Sequence, residues 1–320
     1  MTDERAVRAN VERFSGFADL YDANRPTAPG RLGPVLAAYA GVDRPTVVDL
    51  GSGTGLSTRW AAAWAGAVTG VEPNDDMRAQ AQRRALAGVA YAAGTGDATG
   101  LPDACADVVT VVQAMHWMEP RATLTEIARI LRPGGVLAVL DADWPPVTGI
   151  AAAEQAWAAV HRRIRVYEAR IARGERGEAL ARPVDEDDPA LRDDDLADTH
   201  RNRLLPAGGR SWSKREHLAN IRAHGAFGYT RDLAFDAAAD GADPPPAGDA
   251  AGEVDHGAMA DRFVALMRSQ GSYQAVRNAG LDDDVMGMTA FETDARRAFA
   301  TATSPRPLTF CWRVRLGVRS

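Results

Sequence analysis

A glycine-rich segment near residue 50 has the residue types and spacing of a ligand-binding turn. The apolar pair Val47-Val48 leads through Asp49 into Gly51-Ser52-Gly53-Thr54-Gly55. After a buried strand, glycines in such a turn let the backbone approach a ligand that side chains would block. The spacing is G-x-G-x-G, whereas a dinucleotide-binding turn needs G-x-G-x-x-G, and position 56 is leucine. The turn therefore favours S-adenosylmethionine (SAM), which has no pyrophosphate, over NAD. A plain strand–helix turn is the alternative interpretation.

Three further residue types follow at spacings that suit the rest of an adenosine. Glu72 comes at the end of the next apolar segment, before Pro73, where a carboxylate can accept hydrogen bonds from both ribose hydroxyls. Met77 can pack on the adenine face, although a methionine in a helix more often packs in a core. In Gly96-Asp97-Ala98, Asp97 offers a carboxylate to the adenine amino group or, alternatively, caps the following turn.

The segment Leu131-Arg132-Pro133-Gly134-Gly135-Val136 is a fourth motif, after the glycine-rich turn, the Glu72–Met77 segment and Gly96-Asp97-Ala98. Together the four motifs mark roughly residues 11–144. In these motifs the chain resembles class I SAM-dependent methyltransferases with a type 11 methyltransferase domain, the group that includes trans-aconitate methyltransferase. The resemblance implies bound SAM, converted to S-adenosylhomocysteine, and methyl transfer. It implies SAM contacts at Asp49, Gly51, Gly53, Glu72, Met77, Asp97 and Ala98. Further candidate cofactor-binding residues are Ser52, Pro73 and Gln113. One departure is the stretch between residues 102 and 107, which is shorter than usual.

The segment before the core contains Tyr21 and Arg25, in the order Tyr-Asp-Ala-Asn-Arg-Pro. In the resembling family this segment folds over the methionine end of SAM. The resemblance therefore implies that Arg25 faces the carboxylate of SAM and that Tyr21 lies beside the sulfonium. A surface arginine and a packing tyrosine are the alternative interpretation.

His116 is the candidate catalytic residue. It lies in Gln113-Ala114-Met115-His116-Trp117, where the fourth strand ends, and α/β sheets bind ligands at this carboxyl edge. A neutral imidazole can accept a proton from an acceptor group near physiological pH. The alternative is that His116 and Trp117 only shape the pocket. Asp141, Asp143 and Trp144 follow the next strand and are within reach of the same cleft.

The remaining histidines and cysteines indicate no metal site. The histidines at positions 161, 200, 217, 224 and 256 lack metal-ligand spacing with supporting carboxylates, and we interpret them as surface or packing residues. Cys105 and Cys311 are the only two cysteines and form no ligand cluster. Lys214 is the only lysine among abundant arginines and alanines, which we interpret as a compositional bias.

The elements that must position these residues alternate along the chain. Apolar segments near residues 46–48, 68–72, 89–92, 107–113 and 136–140 alternate with helical patterns, which predicts parallel strands covered on both faces. Two later strands, near 226–234 and 307–318, complete a Rossmann-like, doubly wound α/β fold with a mostly parallel seven-stranded sheet. The predicted domains are an N-terminal helical cap (1–40), a SAM-binding core (41–144), a helical lid (145–225), and a flexible loop with helices (235–304).

The lid and the helices after it are predicted from spacing. Ala151–Ala172 has Trp157, Ile164 and Tyr167 at helical spacing, so we expect a long helix over the cleft. Pro and Gly residues in 240–253 indicate a flexible connection. A helix ending at Gly271 follows, and then a helix that begins with a capping box of Thr289 and Glu292.

Composition and charge limit the partners. The formal net charge of -6 counts mildly against a nucleic-acid substrate, which usually requires a basic face. No apolar stretch of about 18 residues is present, so we expect no membrane span. We expect a cytoplasmic monomer or homodimer that methylates a small molecule, preferably on oxygen. N- or C-methylation, a cyclisation, and a non-catalytic SAM-binding regulator are the alternatives.

Overall fold

The central sheet has seven strands, each formed by an apolar segment. The computed structural model describes residues 4–12, 16, 18–185, 203–204, 210–242, 255–303 and 307–320. The strands of the central sheet are β1 (Thr46–Leu50), β2 (Ala67–Val71), β3 (Val89–Ala92), β4 (Ala106–Val112), β5 (Leu131–Ala142), β8 (Phe227–Ala238) and β9 (Thr309–Arg319). A separate two-stranded ladder joins β6 (Arg203–Leu204) and β7 (Arg210–Ser211).

The sheet order is β3-β2-β1-β4-β5-β9-β8. The first five strands in that order pair in parallel, and β9 runs antiparallel to both β5 and β8. The predicted Rossmann-like, mostly parallel seven-stranded sheet is therefore confirmed. Residues 132–135 belong to β5 and shift its register against β4, with an irregularity between Ala106 and Val108.

The first half of the chain supplies the helices that cover both faces of the parallel strands. They are α1 (Glu4–Glu12), α2 (Ala18–Asn24), α3 (Leu32–Ala40), α4 (Leu56–Ala62), α5 (Asp75–Arg83) and α6 (Pro120–Ile130). Leu32, Leu36 and Trp60 pack in a core on one face of the sheet. Leu124 and Ile127 of α6 pack in a second core on the other face. With both faces buried, ligands can enter only at the strand ends, as the position of the predicted site requires.

A helical layer lies beyond the sheet. It contains α7 (Ala151–Ala172), α8 (Gly177–Ala181), α10 (His256–Arg268), α11 (Gly271–Asn278), α12 (Asp283–Met286) and α13 (Met288–Thr301), while α9 (His217–His224) packs on α6 and β8. Trp157 of α7 is buried, with its ring centre 5.0 Å from that of Phe263 and 6.1 Å from that of Phe291. Helices from the predicted lid and from the later segment therefore share one apolar core.

Two predicted helix boundaries are wrong. Gly271 does not end a helix: the chain is extended at Gln270, and Gly271 is the first residue of α11. Thr289 is not an N-cap, because Gly287, with a φ of 79°, reverses the chain earlier and precedes α13. The Thr289 hydroxyl instead donates a hydrogen bond to Asp284. Residues 243–253 of the predicted flexible connection lie outside the described residues.

No helix in the described part of the chain combines the length and the apolar character needed to cross a membrane.

Candidate active site

A first cavity opens at the carboxyl ends of β1, β2 and β4. It holds about 880 Å³ of empty space, part of it open to solvent. Eight of the predicted cofactor-binding residues line it: Tyr21, Gly51, Gly53, Glu72, Pro73, Met77, Asp97 and Gln113. The other four, Arg25, Asp49, Ser52 and Ala98, are not among its lining residues.

The glycine-rich turn forms the floor of this cavity. Gly51 has a φ of 72°, and a Cβ at this position would lie 2.6 Å from the Ala114 Cβ, so no side chain fits. Gly53 has a φ of 56°, and a Cβ there would meet no atom within 4 Å, which leaves its backbone open to the cavity. The close approach of backbone to ligand that the sequence predicted is therefore available at Gly53.

Glu72 organises the turn from the neighbouring strand. One of its carboxylate oxygens accepts a hydrogen bond from the Gly53 N–H at 2.9 Å, and the other accepts one from the Asn74 N–H at 2.8 Å. Burial raises the pKa of the Glu72 carboxyl, and these two hydrogen bonds oppose the rise. Each carboxylate oxygen can accept more than one hydrogen bond, so Glu72 can also accept from the hydroxyls of a ribose.

Asp49 lies behind the turn rather than in the cavity wall. It is completely buried and accepts hydrogen bonds from the hydroxyls of Ser57 (2.7 Å), Thr58 (2.7 Å) and Thr110 (3.1 Å). Burial raises the pKa of its carboxyl, and the three hydroxyls oppose this. Asp49 therefore ties the end of β1 to the start of α4 and to β4.

Asn74 and Asn10 hold α1 over the first cavity. The Asn74 side chain accepts from the Met77 N–H at 3.0 Å, which caps α5, and donates to the Val11 carbonyl at 2.8 Å. The Asn10 amide donates to the Trp117 carbonyl at 3.0 Å and to the Arg210 carbonyl at 2.7 Å. Asn10 and Val11 consequently line the cavity.

Asp22 fixes α2 against the glycine-rich turn. Its carboxylate accepts from the Thr54 hydroxyl at 2.7 Å and from Arg59 at 2.8 Å, and it also pairs with Arg84. Tyr21 lies beside Asp22 on α2, and Arg25 directly follows this helix. The ion pairs of Asp22 therefore position both predicted N-terminal residues.

A second cavity, with about 760 Å³ of empty space, adjoins the first. The two share three lining residues: Tyr21, Gln113 and Trp117. His116 and Arg25 line the second cavity and not the first. The remaining residues of its wall are Trp144, Trp157, His161, Arg165, Lys214, Gln270, Gly271 and Ser272.

Gln113 lies between the two cavities, at the end of β4. Its φ of 54° is in the left-handed region, which is uncommon for a residue with a side chain and recurs at functional sites. Its side-chain carbonyl accepts a hydrogen bond from the Lys214 ammonium at 2.8 Å. The amide of Gln113 is therefore held at the junction of the cavities.

Asp141 is the centre of a buried charge network under the second cavity. Its carboxylate lies 3.0 Å from Lys214 Nζ, 3.1 Å from Arg315 Nη1, 3.6 Å from His217 Nε2 and 3.9 Å from His116 Nδ1. Burial alone would raise the pKa of the Asp141 carboxyl, but these four neighbours lower it below its usual range. Asp141 therefore remains ionised.

The sequence analysis missed three members of this network: Lys214, His217 and Arg315. Lys214 was attributed to composition, yet it is buried and contacts Asp141. His217 was interpreted as a surface or packing residue, yet it is completely buried beside the same carboxylate. Lys214 and His217 lie three residues apart on one helical turn. This spacing, together with the rarity of lysine in the chain, could have identified them from the sequence.

The surroundings of His116 favour its neutral form. Burial lowers the pKa of its imidazole well below the usual value, Lys214 lowers it further, and Asp141 opposes this. Its ring also packs on Trp117, with ring centres 4.5 Å apart.

One face of α7 forms a wall of the second cavity that the first cavity does not share. Trp157, His161 and Arg165 follow each other at intervals of four residues, which places them on one face of the helix. The sequence analysis did not identify His161 or Arg165 as site residues, because the apolar stripe of α7 dominated the pattern. Trp144 stacks on Trp157, with ring centres 5.9 Å apart, and the Arg25 guanidinium lies 5.1 Å from the Trp144 ring centre.

Residues 48–139, which contain the turn, Glu72 and β4, match a family described as a methyltransferase domain. The chain carries a class I methyltransferase domain. SAM is the cofactor of this domain, and the first cavity fits it: a buried carboxylate lies beside an open glycine backbone, and Met77 and Asp97 complete the wall.

Known relatives of the methyltransferase domain cover part of the chain. An uncharacterized methyltransferase of Mycobacterium tuberculosis is 34% identical over 127 residues, which is 40% of this chain and 51% of that protein. Trans-aconitate 2-methyltransferase of an Azoarcus species is 41% identical over 103 residues, which is 30% of this chain and 39% of that protein. The chain thus spans about half the length, or less, of these curated relatives.

The methyltransferase fold extends over most of the chain. A solved structure from Anabaena variabilis, described as a methyltransferase of an antibiotic biosynthesis pathway, aligns with a TM-score of 0.52 at 16% identity. The alignment covers 91% of this chain and 98% of that one. At this identity the likeness shows the fold alone. Among the described residues, no group of three or more His, Cys, Asp or Glu side chains is placed to hold a metal ion.

Proposed function

We propose that this protein transfers the methyl group of SAM to an oxygen atom of a small-molecule acceptor. The observation that carries the proposal is the pair of adjoining cavities, which meet at Tyr21, Gln113 and Trp117. The first has the wall of a SAM site, and the second has the size of a small-molecule pocket. An acceptor in the second cavity would meet the methyl donor at these three shared residues.

In this proposal the residues of the first cavity bind the cofactor. Glu72 accepts hydrogen bonds from the ribose hydroxyls, while Met77 and Asp97 contact the adenine. Pro73, next to Glu72, and Gly51 with Gly53 complete the contact surface. Asp49, Ser52 and Ala98 support the turn and the loop from behind, because they do not line the cavity.

Arg25 is the proposed partner of the SAM carboxylate. It forms no ion pair with any carboxylate of the described residues, and its buried Nε has no hydrogen-bond partner there. Burial lowers the pKa of its guanidinium, as expected for a cation without a counter-ion. Its guanidinium packs on Tyr21, which lines both cavities, 4.7 Å from the ring centre. A carboxylate bound at the junction would provide Arg25 with a counter-ion.

When bound, SAM supplies a methyl group on a positively charged sulfur, so transfer to an anionic oxygen neutralises both charges and leaves S-adenosylhomocysteine. The protein contributes position and exclusion of water, which together supply much of the acceleration in such displacements. The aromatic rings of Trp117, Trp144 and Trp157 exclude water from the second cavity. Gln113, held by Lys214, orients the acceptor at the junction.

His116 contacts the acceptor in this scheme as a neutral polar wall. A carboxylate acceptor has no proton to lose, so it needs no general base. If the acceptor is a hydroxyl, the neutral imidazole of His116, three residues after Gln113 at the junction, can accept its proton.

The organisation and partners follow from the same proposal. Residues 1–40 act as a cap over the SAM-binding core of residues 41–144, and helices from 145–225 and 235–304 cover the acceptor cavity. A small molecule is the partner, without a nucleic acid or a membrane, in a cytoplasmic monomer or homodimer.

The test combines binding and turnover. Calorimetry with S-adenosylhomocysteine and with NAD measures cofactor choice, and mass spectrometry of reactions with SAM and a panel of acids, phenols and amines detects products heavier by one methylene. We expect S-adenosylhomocysteine to bind, NAD not to bind, and an O-methylated product to form. Binding of S-adenosylhomocysteine without turnover of any acceptor would instead support a non-catalytic regulator.

A further inference from the structure

The acceptor cavity is cationic. Arg25, Arg165 and Lys214 line it together with His116 and His161, and no aspartate or glutamate of the described residues lines it. A cavity with these walls attracts an anion. The three cations, however, differ in what already neutralises them.

Each of the three cations has a partner in the protein or in the proposed cofactor complex. The Lys214 ammonium lies 3.0 Å from the Asp141 carboxylate, so its charge is compensated within the protein. Arg25 packs on Tyr21, which lines both cavities, and is assigned above to the carboxylate of SAM. Arg165 is different because it lies on α7, which contributes no residue to the first cavity.

Arg165 forms an ion pair with its cation on the side of the cavity. It pairs with Glu168 one turn further along α7, and both residues are buried, with exposed fractions of 5% and 3%. Arg165 lines the cavity whereas Glu168 does not, so the cation faces the acceptor and the carboxylate lies behind it. A guanidinium has five donors in a planar fork that matches a carboxylate, so Glu168 can hold Arg165 in place while a ligand also binds it.

His161 lies one turn before Arg165 on the same face of α7. Burial and, after it, the positive charge of Arg165 lower the pKa of its imidazole to about 4, so the ring is neutral at pH 7. An anion bound beside both side chains would favour the protonated ring. The charged and titratable groups around His161 are Arg162, Arg165 and Glu168 on α7 and, across the cavity, Arg25, His116 and Lys214.

From this geometry we infer that the acceptor is an organic acid with a flat apolar body, whose acidic group binds Arg165 and His161 at the α7 wall. The stacked rings of Trp144 and Trp157, inclined by only 13°, form the apolar surface for the body. Because the α7 wall is not shared with the SAM cavity, this acidic group anchors the acceptor, and a second oxygen of the acceptor, at the junction of the cavities, accepts the methyl group. The inference rests on the proposed function, since it assigns the ligand of the proposed acceptor cavity.

The test compares acids with their uncharged analogues. Benzoate, cinnamate and indole-3-acetate are titrated calorimetrically into the full chain loaded with S-adenosylhomocysteine, beside benzamide, cinnamamide and indole-3-acetamide. We expect at least one acid to bind at least about tenfold more tightly than its amide, as for a lost hydrogen bond to a charged group. Titrations in buffers of different ionisation enthalpy should show proton uptake with that acid near pH 6, from His161.

Variants locate the anion site. Arg165→Gln should weaken acid binding by roughly 10- to 100-fold and leave the affinity for S-adenosylhomocysteine unchanged. The single variant Arg165→Gln leaves the buried Glu168 without its arginine. The double variant Arg165→Gln with Glu168→Gln therefore tests the same loss of acid binding without that stranded carboxylate. His161→Gln should abolish the proton uptake. Arg162→Gln removes the same charge from the exposed face of α7 and should leave the affinities for the acid and for S-adenosylhomocysteine unchanged.

Acids that bind no more tightly than their amides would overturn the inference. So would equal losses in the Arg162 and Arg165 variants, or a panel in which no acid binds. Failure of the proposed function would give a different result. In that case S-adenosylhomocysteine would not bind to the unmodified protein, or SAM would not be consumed with any acceptor.

Discussion

Lys214 Nζ lies 3.0 Å from Asp141 Oδ1, and both side chains are buried under the second cavity. Lys214 is the only lysine of the chain. The same ammonium donates to Gln113 at the junction with the first cavity. One ion pair therefore connects the charge network below the acceptor cavity with the residue that separates the two cavities.

Replacing Lys214 should change the titration of its histidine neighbour. Lys214→Met removes a positive charge that, after burial itself, is the largest cause of the lowered pKa of His116. The pKa of His116 should therefore rise toward its ordinary value, which NMR titration of the imidazole resonances measures. Arg215→Met, which removes an exposed cation from the same helical turn, is the matched control. An unchanged His116 titration in Lys214→Met would contradict the network.

Replacing Asp141 should destabilise the fold. Asp141→Asn leaves Lys214 and Arg315 buried without their shared carboxylate, and breaking such a pair costs about 3–5 kcal/mol. The loss is measured as the free energy of unfolding in urea at pH 7. Asp141→Asn with Lys214→Met should recover part of it, because one stranded charge is removed.

The same variant has a defined pH dependence. Because the folded-state pKa of Asp141 is lowered, its ionised form stabilises the protein fully above the ordinary carboxyl pKa of 3.8 and progressively less below it. The difference between Asp141→Asn and the unmodified protein should therefore be constant from pH 5 to 7 and shrink below about pH 4. A difference that grows on acidification would show that Asp141 is not held ionised.

Glu72 has both a structural and a binding role, and two variants separate them. Glu72→Ala removes the acceptors for the Gly53 and Asn74 N–H groups as well as the proposed ribose contacts, so the affinity for S-adenosylhomocysteine should fall roughly 10- to 100-fold per lost hydrogen bond. Glu72→Gln keeps one acceptor oxygen and the side-chain volume, so the affinity for S-adenosylhomocysteine should fall less in this variant. Calorimetry measures both. Unchanged affinity in Glu72→Ala would exclude Glu72 as a cofactor ligand.

The parts of the fold that the sequence predicts are those fixed by local patterns. The mostly parallel sheet follows from apolar segments alternating with helices, and the glycines from Gly51 to Gly55 determine the backbone of the turn. Ala151–Ala172 is helical as predicted because its apolar spacing is unbroken. The boundary at Gly287 was missed because a glycine that reverses the chain leaves no hydrophobic pattern.

The acceptor cavity was harder to predict because it depends on contacts between distant segments. Lys214 contacts Asp141 across 73 positions of the chain, a pairing that no local spacing reveals. Asp49 was expected at the cofactor from its place in the motif, but the hydroxyls of Ser57 and Thr110 draw its carboxylate behind the turn. Side-chain direction at a strand end is set by such partners and not by the position in a motif.

His116 should act as part of the acceptor wall rather than as a general base. Burial and Lys214 lower the pKa of the imidazole well below its usual value, so an acceptor that is methylated on a carboxylate oxygen should give a kcat/KM without an acid limb from His116 near neutral pH. His116→Gln should keep the affinity for S-adenosylhomocysteine and raise KM more than it lowers kcat, equally at each pH. His224→Gln, which alters a histidine outside both cavities, is the control. A kcat reduced about 10²–10⁴-fold by His116→Gln would instead identify proton removal from a hydroxyl acceptor.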